Sequence, residues 1–531
     1  MKNRIKQYLL AASMCVGLTA CSDFFEPIPG VQFGLDETFA SKQRTEEYLN
    51  NVYSYVREVT DAIHPNTYGG IFTEASLDGA NRWNKTYAEW TNGSFNSASA
   101  QASEYFSKYY QAIAKASTFI QNVDKCTEAA ASTRGKWKSE ARALRAYYYF
   151  ELLRLYGPIP LIGEDPIPLD ASLEELIKER NSVDECVNFI ATELQSAIDS
   201  GDLLQRAGKA NLGRMDVATC MALKAKLYLY WASPLFNGNT DQASVKNKDG
   251  KQLFPQTEDN SKWAQARDAY ERFMTFATGQ GYKLTEVYTN GKLDPYASCR
   301  AAGEFFTTTW EAVDELIFVK LRDLYDYTYW VCPKFTDFQD TDVTGGGGYY
   351  TTQETVDLFF TKDGLTIEED PSYDKFEGIP GANNFTSGRY YDPNNPSRLY
   401  FDADKSKVLK QWKDREPRFY VNITYSGSIW LNEGKYNEEM RTDFTNGANG
   451  TCGKSKASGD CPDSGYLIRR GAKASNNNGS KHFSPVLRLA DMYLGYAEAL
   501  CMCSDLDNAL TYLNKIRVRA GIPEYTFTAT A

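Results

Sequence analysis

Histidine is nearly absent from this sequence, because only His64 and His482 occur among its 531 residues. The commonest general base is therefore scarce, and neither histidine lies near paired cysteines at a zinc-ligand spacing. Basic charge is also in deficit, since 58 lysines and arginines face 69 acidic residues for a formal net charge of −11. Nothing resembles the basic surface that phosphate binding requires, so nucleic acid is not an expected partner. We expect no catalytic residue, no metal and no cofactor.

Long apolar runs are missing as well. No segment reaches the roughly 20 apolar residues that a membrane-spanning helix needs. A shorter apolar run follows three basic residues at the N-terminus, and residues 1–20 are predicted to be a signal peptide. The small residues before Cys21 suit a lipoprotein signal peptidase, so Cys21 is predicted to become the lipidated N-terminal residue. Residues 21–40 would then form a tether, and the rest of the chain would meet the membrane only through the lipid anchor.

Closely spaced cysteine pairs are few among the eleven cysteines. Cys452 and Cys461 bracket a short polar loop that a disulfide could close in an exported protein. The alternative is that both remain thiols, and the sequence leaves both states open.

Helix-period patterns fill the two ends of the chain. They predict helices over 44–59, 103–123, 133–156, 183–198, 214–230 and 263–277, and again over 487–501 and 506–519. Residues 133–156 are apolar on nearly every side, which predicts an inner helix packed on two faces. Gly157-Pro158 should end it, and its three consecutive tyrosines at 147–149 are interpreted as scaffold.

The middle of the chain has a different texture, rich in Gly, Asn, Asp and Tyr. Short apolar runs at 316–319, 419–425 and 466–468 predict a few short strands among long irregular loops. The glycine run 345–348 lacks the residues of a phosphate-binding loop and is interpreted as a hinge or flexible rim.

Five segments resemble the SusD/RagB family of outer-membrane nutrient-binding lipoproteins of Bacteroidetes. They are the lipobox before Cys21, ARALRAYYYFELLRLYGPIP at 141–160, ALKAKLYLYWASPLFNG at 222–238, RLADMYLGYAEAL at 488–500 and YLNKIRVRAGIP at 512–523. The resemblance implies a mostly α fold, in which a tetratricopeptide-like array of helix pairs carries a large irregular part with a few short strands. It also implies docking as a lid on a SusC-like TonB-dependent transporter at the cell surface.

This organisation predicts three parts after the tether. Residues 41–280 form the N-terminal helical scaffold, 281–485 the loop-rich, ligand-facing region and 486–531 the C-terminal scaffold helices. Family members continue for several dozen residues beyond the last motif, whereas this sequence stops at Ala531, so we expect a truncated scaffold.

Glycan recognition requires flat aromatic faces for sugar rings together with polar side chains for hydroxyl groups. Two clusters outside the helices combine them: Asp78, Asn81 and Trp83, and Tyr325, Tyr327, Tyr329 and Trp330. In an extended backbone the three tyrosines would share one face and Trp330 would lie on the other. Either cluster could instead be core, and the family motifs support no individual ligand residue.

The sequence therefore predicts a non-enzymatic surface lipoprotein that captures a glycan and delivers it to a SusC-like transporter. A RagB-like binder of peptide or another nutrient is an open alternative. A surface glycoside hydrolase would need two placed carboxylates, and the sequence singles out no pair among its 69 acidic residues. A purely structural surface protein is the remaining alternative.

Overall fold

The computed structural model describes residues 34–57, 76, 79–81, 89, 93–165, 167, 171–303, 314–322, 329–335, 345–375, 378, 380–431, 440–444, 452, 460–472 and 482–527. Within these residues the protein is mostly α-helical with a few short strands, as the sequence predicts. The helices contain the main apolar core, and smaller apolar clusters lie under the strands and loops of the middle region.

The helices pack largely in chain order. They are α1 (Leu35–Ala40), α2 (Lys42–Tyr53), α3 (Ala100–Asn122), α4 (Ala131–Tyr156), α5 (Leu173–Leu176), α6 (Val183–Asp199), α7 (Val217–Ala232), α8 (Ser261–Gly279), α9 (Pro295–Gly303), α10 (Gln353–Asp357), α11 (Pro417–Asn422), α12 (Leu489–Met502) and α13 (Leu506–Ala520). α3 packs on α4, α4 on α6, α6 on α7 and α7 on α8, and α12 returns from the far end of the chain to pack on α8. All eight predicted helices are confirmed, with their ends shifted by a few residues.

The predicted inner helix is α4, and its three tyrosines at 147–149 are at most 1% exposed. The Tyr148 hydroxyl donates to the Val52 carbonyl at 2.5 Å, and the Tyr149 hydroxyl accepts from the Ile162 N–H at 3.0 Å. These rings therefore belong to the scaffold, with their hydroxyl groups bonded to other segments. Gly157 ends the helix at φ 70, a conformation that glycine adopts without a Cβ penalty.

The strands form one four-stranded sheet and three strand pairs. They are β1 (Ala80–Asn81), β2 (Tyr288–Thr289), β3 (Lys292–Leu293), β4 (Leu316–Arg322), β5 (Tyr349–Tyr350), β6 (Arg389–Asp392), β7 (Asn395–Asp402), β8 (Ile423–Tyr425), β9 (Tyr466–Ile468) and β10 (His482–Arg488). The four-stranded sheet has the order β1-β5-β9-β8 and is antiparallel throughout. β2 pairs with β3, β4 with β10 and β6 with β7.

The middle region has its own aromatic core. Tyr400 and Tyr420 stack at 3.9 Å between ring centroids with 10° between their planes.

The strand predicted over 419–425 is partly wrong, because its first half belongs to α11. Pro417 stands at the first position of that helix, where its fixed φ and missing N–H are tolerated. Only the second half of the apolar run is extended, as β8.

Candidate functional site

The edge of the four-stranded sheet includes Asn81 of the first predicted glycan cluster and contacts Tyr329 and Trp330 of the second. In the antiparallel pairing of β1 with β5, Ala80 lies opposite Tyr350 and Asn81 lies opposite Tyr349. The residues immediately before β5 contact the second cluster, because the Gly346 N–H donates to the Tyr329 carbonyl at 2.7 Å. We call Ala80–Asn81, Tyr329, Trp330, Tyr349 and Tyr350 the strand-edge site.

The glycine run 345–348 joins Tyr329 and Trp330 to the sheet, and we call it the glycine seam. Its residues are buried, and the Gly348 N–H donates to the Trp330 carbonyl at 3.2 Å. A Cβ on Gly346 would lie 2.2 Å from Trp330 Cε3, so the backbone and the indole ring approach more closely than any side chain permits. The interpretation as a hinge or flexible rim is therefore wrong. The glycines hold Tyr329 and Trp330 against the sheet.

Tyr329 and Trp330 lie in a helical turn over residues 329–331. Their rings meet edge to face, with 4.9 Å between centroids and 84° between planes, and both side chains are half-buried. The expectation that they would lie on opposite faces of an extended segment is wrong, because helical backbone turns successive side chains by about 100°. The two rings form one contiguous aromatic surface.

A compact apolar cluster supports the strand-edge site from below. Its buried members include Phe335, Tyr349 and Trp430, and the Trp430 side chain is 1% exposed. The Arg469 guanidinium lies 5.6 Å from the Trp430 ring centroid and donates to the Tyr420 carbonyl at 3.3 Å. These contacts fix the aromatic surface on a rigid base, which lowers the entropic cost of ligand binding.

The remaining predicted residues have different outcomes. Asp78, Trp83, Tyr325 and Tyr327 lie outside the described residues, as does the lipidation residue Cys21. For Asn81 the structure gives only the backbone pairing.

The cysteine loop borders the cluster beneath the site. Cys452 is buried in that cluster with Cys332, and Cys461 is also buried. The Cys452–Cys461 bond stays a prediction.

A polar pocket of about 330 Å³ lies between residues 362–374 and 410–414, and the sequence analysis missed it. Asp414 adopts φ 56 there, a backbone conformation that non-glycine residues rarely adopt. The Asp414 carbonyl accepts from the Lys362 N–H at 2.8 Å, and its Oδ1 accepts from the Tyr390 hydroxyl at 3.1 Å. The many lysines and aspartates in these segments could have indicated the pocket. The same composition is equally typical of a solvated loop.

The pocket offers both donors and acceptors for hydroxyl groups. Hydrogen bonds from Ser372, including one from its Oγ at 2.6 Å, hold the pKa of Asp370 below its usual range. Asp370 is therefore an ionised acceptor at neutral pH, beside the lysine ammonium groups that line the same pocket.

Carboxyl groups with raised pKa values lie in the helical scaffold. Burial raises the pKa of Asp216 to about 6 and also raises the pKa of Glu140. Asp216 accepts from the Thr219 N–H at the start of α7, and Glu140 pairs with Arg214 at 2.7 Å, so both have structural partners. In the part of the chain that the structure describes, no group of three or more His, Cys, Asp or Glu residues could hold a metal ion.

Among the described helices, none combines the length with the apolar character that crossing a membrane requires.

Comparisons with known proteins match both ends of the chain. A model described as "SusD family" matches residues 315–531, and one described as "Starch-binding associating with outer membrane" matches residues 32–229. A SusD-like protein of Bacteroides ovatus is 27% identical over 175 residues, which cover 32% of this chain and 30% of that protein. The alignment thus spans less than a third of this curated relative.

Solved structures share the fold over nearly the whole chain. The protein BT4246 superposes with a TM-score of 0.74 at 24% identity, covering 92% of this chain and 84% of that one. A SusD-like carbohydrate-binding protein of Bacteroides fragilis superposes with a TM-score of 0.61 at 18% identity, covering 93% and 81%. The family matches at both ends, together with the helix-pair array that joins them, show that the chain belongs to the SusD/RagB family.

Proposed function

We propose that this protein is a non-enzymatic glycan-binding lipoprotein of the outer-membrane surface that delivers its ligand to a SusC-like TonB-dependent transporter. The observation that supports the proposal is the β1–β5 pairing, because Asn81 lies in β1 and the glycines that precede β5 contact Tyr329 and Trp330. The family description of starch binding in association with the outer membrane supports it, as does the carbohydrate-binding relative.

The strand-edge site would bind a glycan through ring stacking and hydrogen bonds. Trp330 and Tyr329 present adjoining aromatic faces to the apolar faces of sugar rings. Trp83, Tyr325 and Tyr327 would extend this surface, while Asp78 and Asn81 would bond hydroxyl groups. Several weak ring contacts along one chain sum to useful avidity, and the polar pocket offers further hydroxyl partners.

The lipid on Cys21 would hold the binding surface close to the transporter. Gly34, the first described residue, is exposed and leads directly into α1, so the preceding segment can serve as a tether. We expect Cys21→Ser to release the protein from membranes and to abolish lipid labelling. Continued lipid labelling of this variant would refute the anchor.

The transporter would contact an apolar groove on the scaffold. The groove has a volume of about 440 Å³ and lies between α3 and the chain that runs from 160 to 178. Ile177 lines the groove and is 69% exposed, and Leu173, one helical turn earlier, is 74% exposed. Two such exposed apolar side chains close together are typical of an interaction surface. We expect Leu173→Ser with Ile177→Ser to lower co-purification of a barrel-sized partner. Leu235→Ser, at a 53% exposed position of the same scaffold, is the matched control.

Calorimetry of residues 22–531 against polysaccharides, oligosaccharides and peptides tests the function directly, with the cell contents analysed afterwards for cleavage. We expect saturable heat with an intact glycan. New reducing ends would instead identify a hydrolase, and saturation by peptide alone would identify a RagB-like binder. No heat from any ligand would refute independent nutrient binding.

A further inference from the structure

Four arginines converge on one region at the end of the four-stranded sheet. Two adjoining cavities of about 380 and 330 Å³ share the lining residues Arg418, Arg470, Arg488, Arg519 and Cys299. We call these two cavities together the arginine cavity. In a chain of net charge −11, so many guanidinium groups around one space are a local reversal of the overall charge.

Nearby carboxylates offset only part of this charge. Among the described residues that line the arginine cavity, the carboxylates are Glu416 and Asp491. Glu416 pairs with Arg418, whereas Asp491 pairs with Lys226 on α7 at 2.5 Å.

One further carboxylate lies behind the cavity and is shared by two arginines. Glu315 is 2.7 Å from Arg519 Nη1 and 3.7 Å from Arg488 Nη1. Arg418, Arg488 and Arg519 thus share two described carboxylates, Glu416 and Glu315, so these three guanidinium groups keep a positive excess among the described residues.

Two further observations favour an anion as the ligand of this cavity. Arg519 is 6% exposed, and its buried Nε has no hydrogen-bond partner among the described residues. A buried donor without an acceptor costs about 1–3 kcal/mol, so an occupant that supplies one would be favoured. Burial and the positive charges of Arg470 and Arg519 lower the pKa of Arg488 to about 10, although Glu315 opposes the shift. A bound anion would give the Arg519 Nε an acceptor and would offset the positive charges around Arg488.

The other residues that line the arginine cavity favour a sugar over a bare ion as its ligand. The larger cavity is also lined by the apolar side chains of Leu358, Phe359 and Phe360 and by the amide of Asn422. A sugar that carries an acidic group matches this pattern, because its ring has an apolar face and its acidic group suits guanidinium donors. An inorganic anion would use only the arginines.

The arginine cavity adjoins the sheet that carries the strand-edge site. Asn422 directly precedes β8, and Arg470 lies two residues after β9. With the order β1-β5-β9-β8, these strand ends lie up to three strand spacings from the β1 edge, about 14 Å. The cavity and the strand-edge site are therefore attached to the same sheet.

We infer that the arginine cavity binds the carboxylate or sulfate group of an acidic sugar residue, so that the preferred ligand is an acidic glycan. This inference rests on the proposed glycan-binding function and specifies its substrate class.

The test compares matched pairs of ligands that differ only in charge. An oligogalacturonate is titrated beside its methyl ester, and a sulfated galactan beside its desulfated form, with sodium sulfate as the bare-ion probe. We expect an acidic member to bind at least about tenfold more tightly than its neutral partner, since hydrogen bonds to charged groups contribute about 1.5–3 kcal/mol. This preference should weaken as ionic strength rises.

Two arginine variants test the role of the guanidinium groups. Arg470 is exposed, so Arg470→Gln should leave thermal unfolding unchanged and reduce the acidic preference about tenfold. Arg418→Gln is the second variant. Arg389→Gln, an exposed arginine of β6, is the matched control and should keep the preference.

The possible failures are distinguishable. Equal affinity for charged and neutral partners, or a preference that survives in both cavity variants, overturns the acidic-sugar inference and leaves glycan binding intact. A response to sulfate without one to either acidic glycan identifies a bare-ion site and also overturns it. Absence of binding to every glycan overturns the proposed function as well.

Discussion

Arg145 and Glu193 form a buried ion pair that joins α4 to α6. The Arg145 side chain is 0% exposed, and its Nε donates to Glu193 Oε2 at 2.8 Å. The same guanidinium donates to Ser117 Oγ on α3 at 3.0 Å. One charged side chain in this inner helix thus bonds to both neighbouring helices. Its charge is tolerated there because the guanidinium has partners on two sides.

Replacing this arginine should destabilise the scaffold strongly. Arg145→Ala leaves Glu193 buried with its main partner removed, so we expect the free energy of unfolding to fall by about 3–5 kcal/mol. Urea unfolding followed by circular dichroism measures the change. Lys138→Ala is the control on the same helix, because its pair with Asp124 is largely exposed and should contribute less than about 1 kcal/mol. Equal losses in the two variants would contradict the structural role of the buried pair.

Gly346 should not tolerate a methyl group. In Gly346→Ala the new Cβ would meet the Trp330 ring at 2.2 Å, so either the indole ring or the glycine seam must move. We expect a stability loss of about 1–3 kcal/mol, as overpacked sites show, together with weaker glycan binding. Gly279→Ala is the control, since nothing lies within 4 Å of a Cβ there. Unchanged thermal unfolding and affinity in Gly346→Ala would show that the seam does not position Trp330.

Removing a stacking ring should weaken glycan binding without unfolding the protein. Trp330→Ala and Trp83→Ala should each lower affinity about three- to tenfold, the range expected for one aromatic contact. Calorimetry measures the affinity, and thermal unfolding checks that the fold persists. Tyr288→Ala removes a 60% exposed ring from the β2–β3 hairpin and should leave the affinity unchanged. If both tryptophan variants bind like the parent protein, the site lies elsewhere.

The free energy of unfolding should depend on pH through the titration of Asp216. Its pKa is about 6 in the folded protein because burial outweighs the N–H bonds from Thr219 and Ala207, whereas an unfolded aspartate titrates near 4. Between pH 4 and pH 6 the folded state therefore binds more protons, so the contribution of this group to the free energy of unfolding falls as pH rises.

Asp216→Asn removes this titration. The unfolding free energy of the parent protein minus that of the variant should fall by about 2 kcal/mol from pH 4 to pH 7. Urea unfolding at several pH values gives this difference, in which the other carboxylates cancel. A difference that stays constant over the range would contradict the shifted titration.

The helices could be predicted because their signals are local. The end of α4 at Tyr156 is set by Gly157-Pro158, and its inner position follows from apolar residues on every side. The apolar run 419–425 was assigned wrongly because a short apolar run is compatible with either a buried strand or a buried helix turn.

The site could be predicted only in its residue types. Aromatic and polar composition indicated the two clusters, but the place of Asn81 at the sheet edge depends on its pairing with Tyr349, which is roughly 270 residues away. Such a pairing leaves no local pattern in a strand of two residues. The turn at Tyr329 and Trp330 depends likewise on carbonyl contacts with the distant glycine run.

The packing of α12 on α8 has a consequence for export. Tyr270 of α8 stacks near Tyr496 with 6.2 Å between ring centroids, and Gly495 leaves room for the Tyr270 hydroxyl. The N-terminal helices therefore lack one wall of their core until residues near 500 have been synthesised. In the export that we propose, a chain that crosses the membrane N-terminus first would thus remain unfolded until α12 has followed.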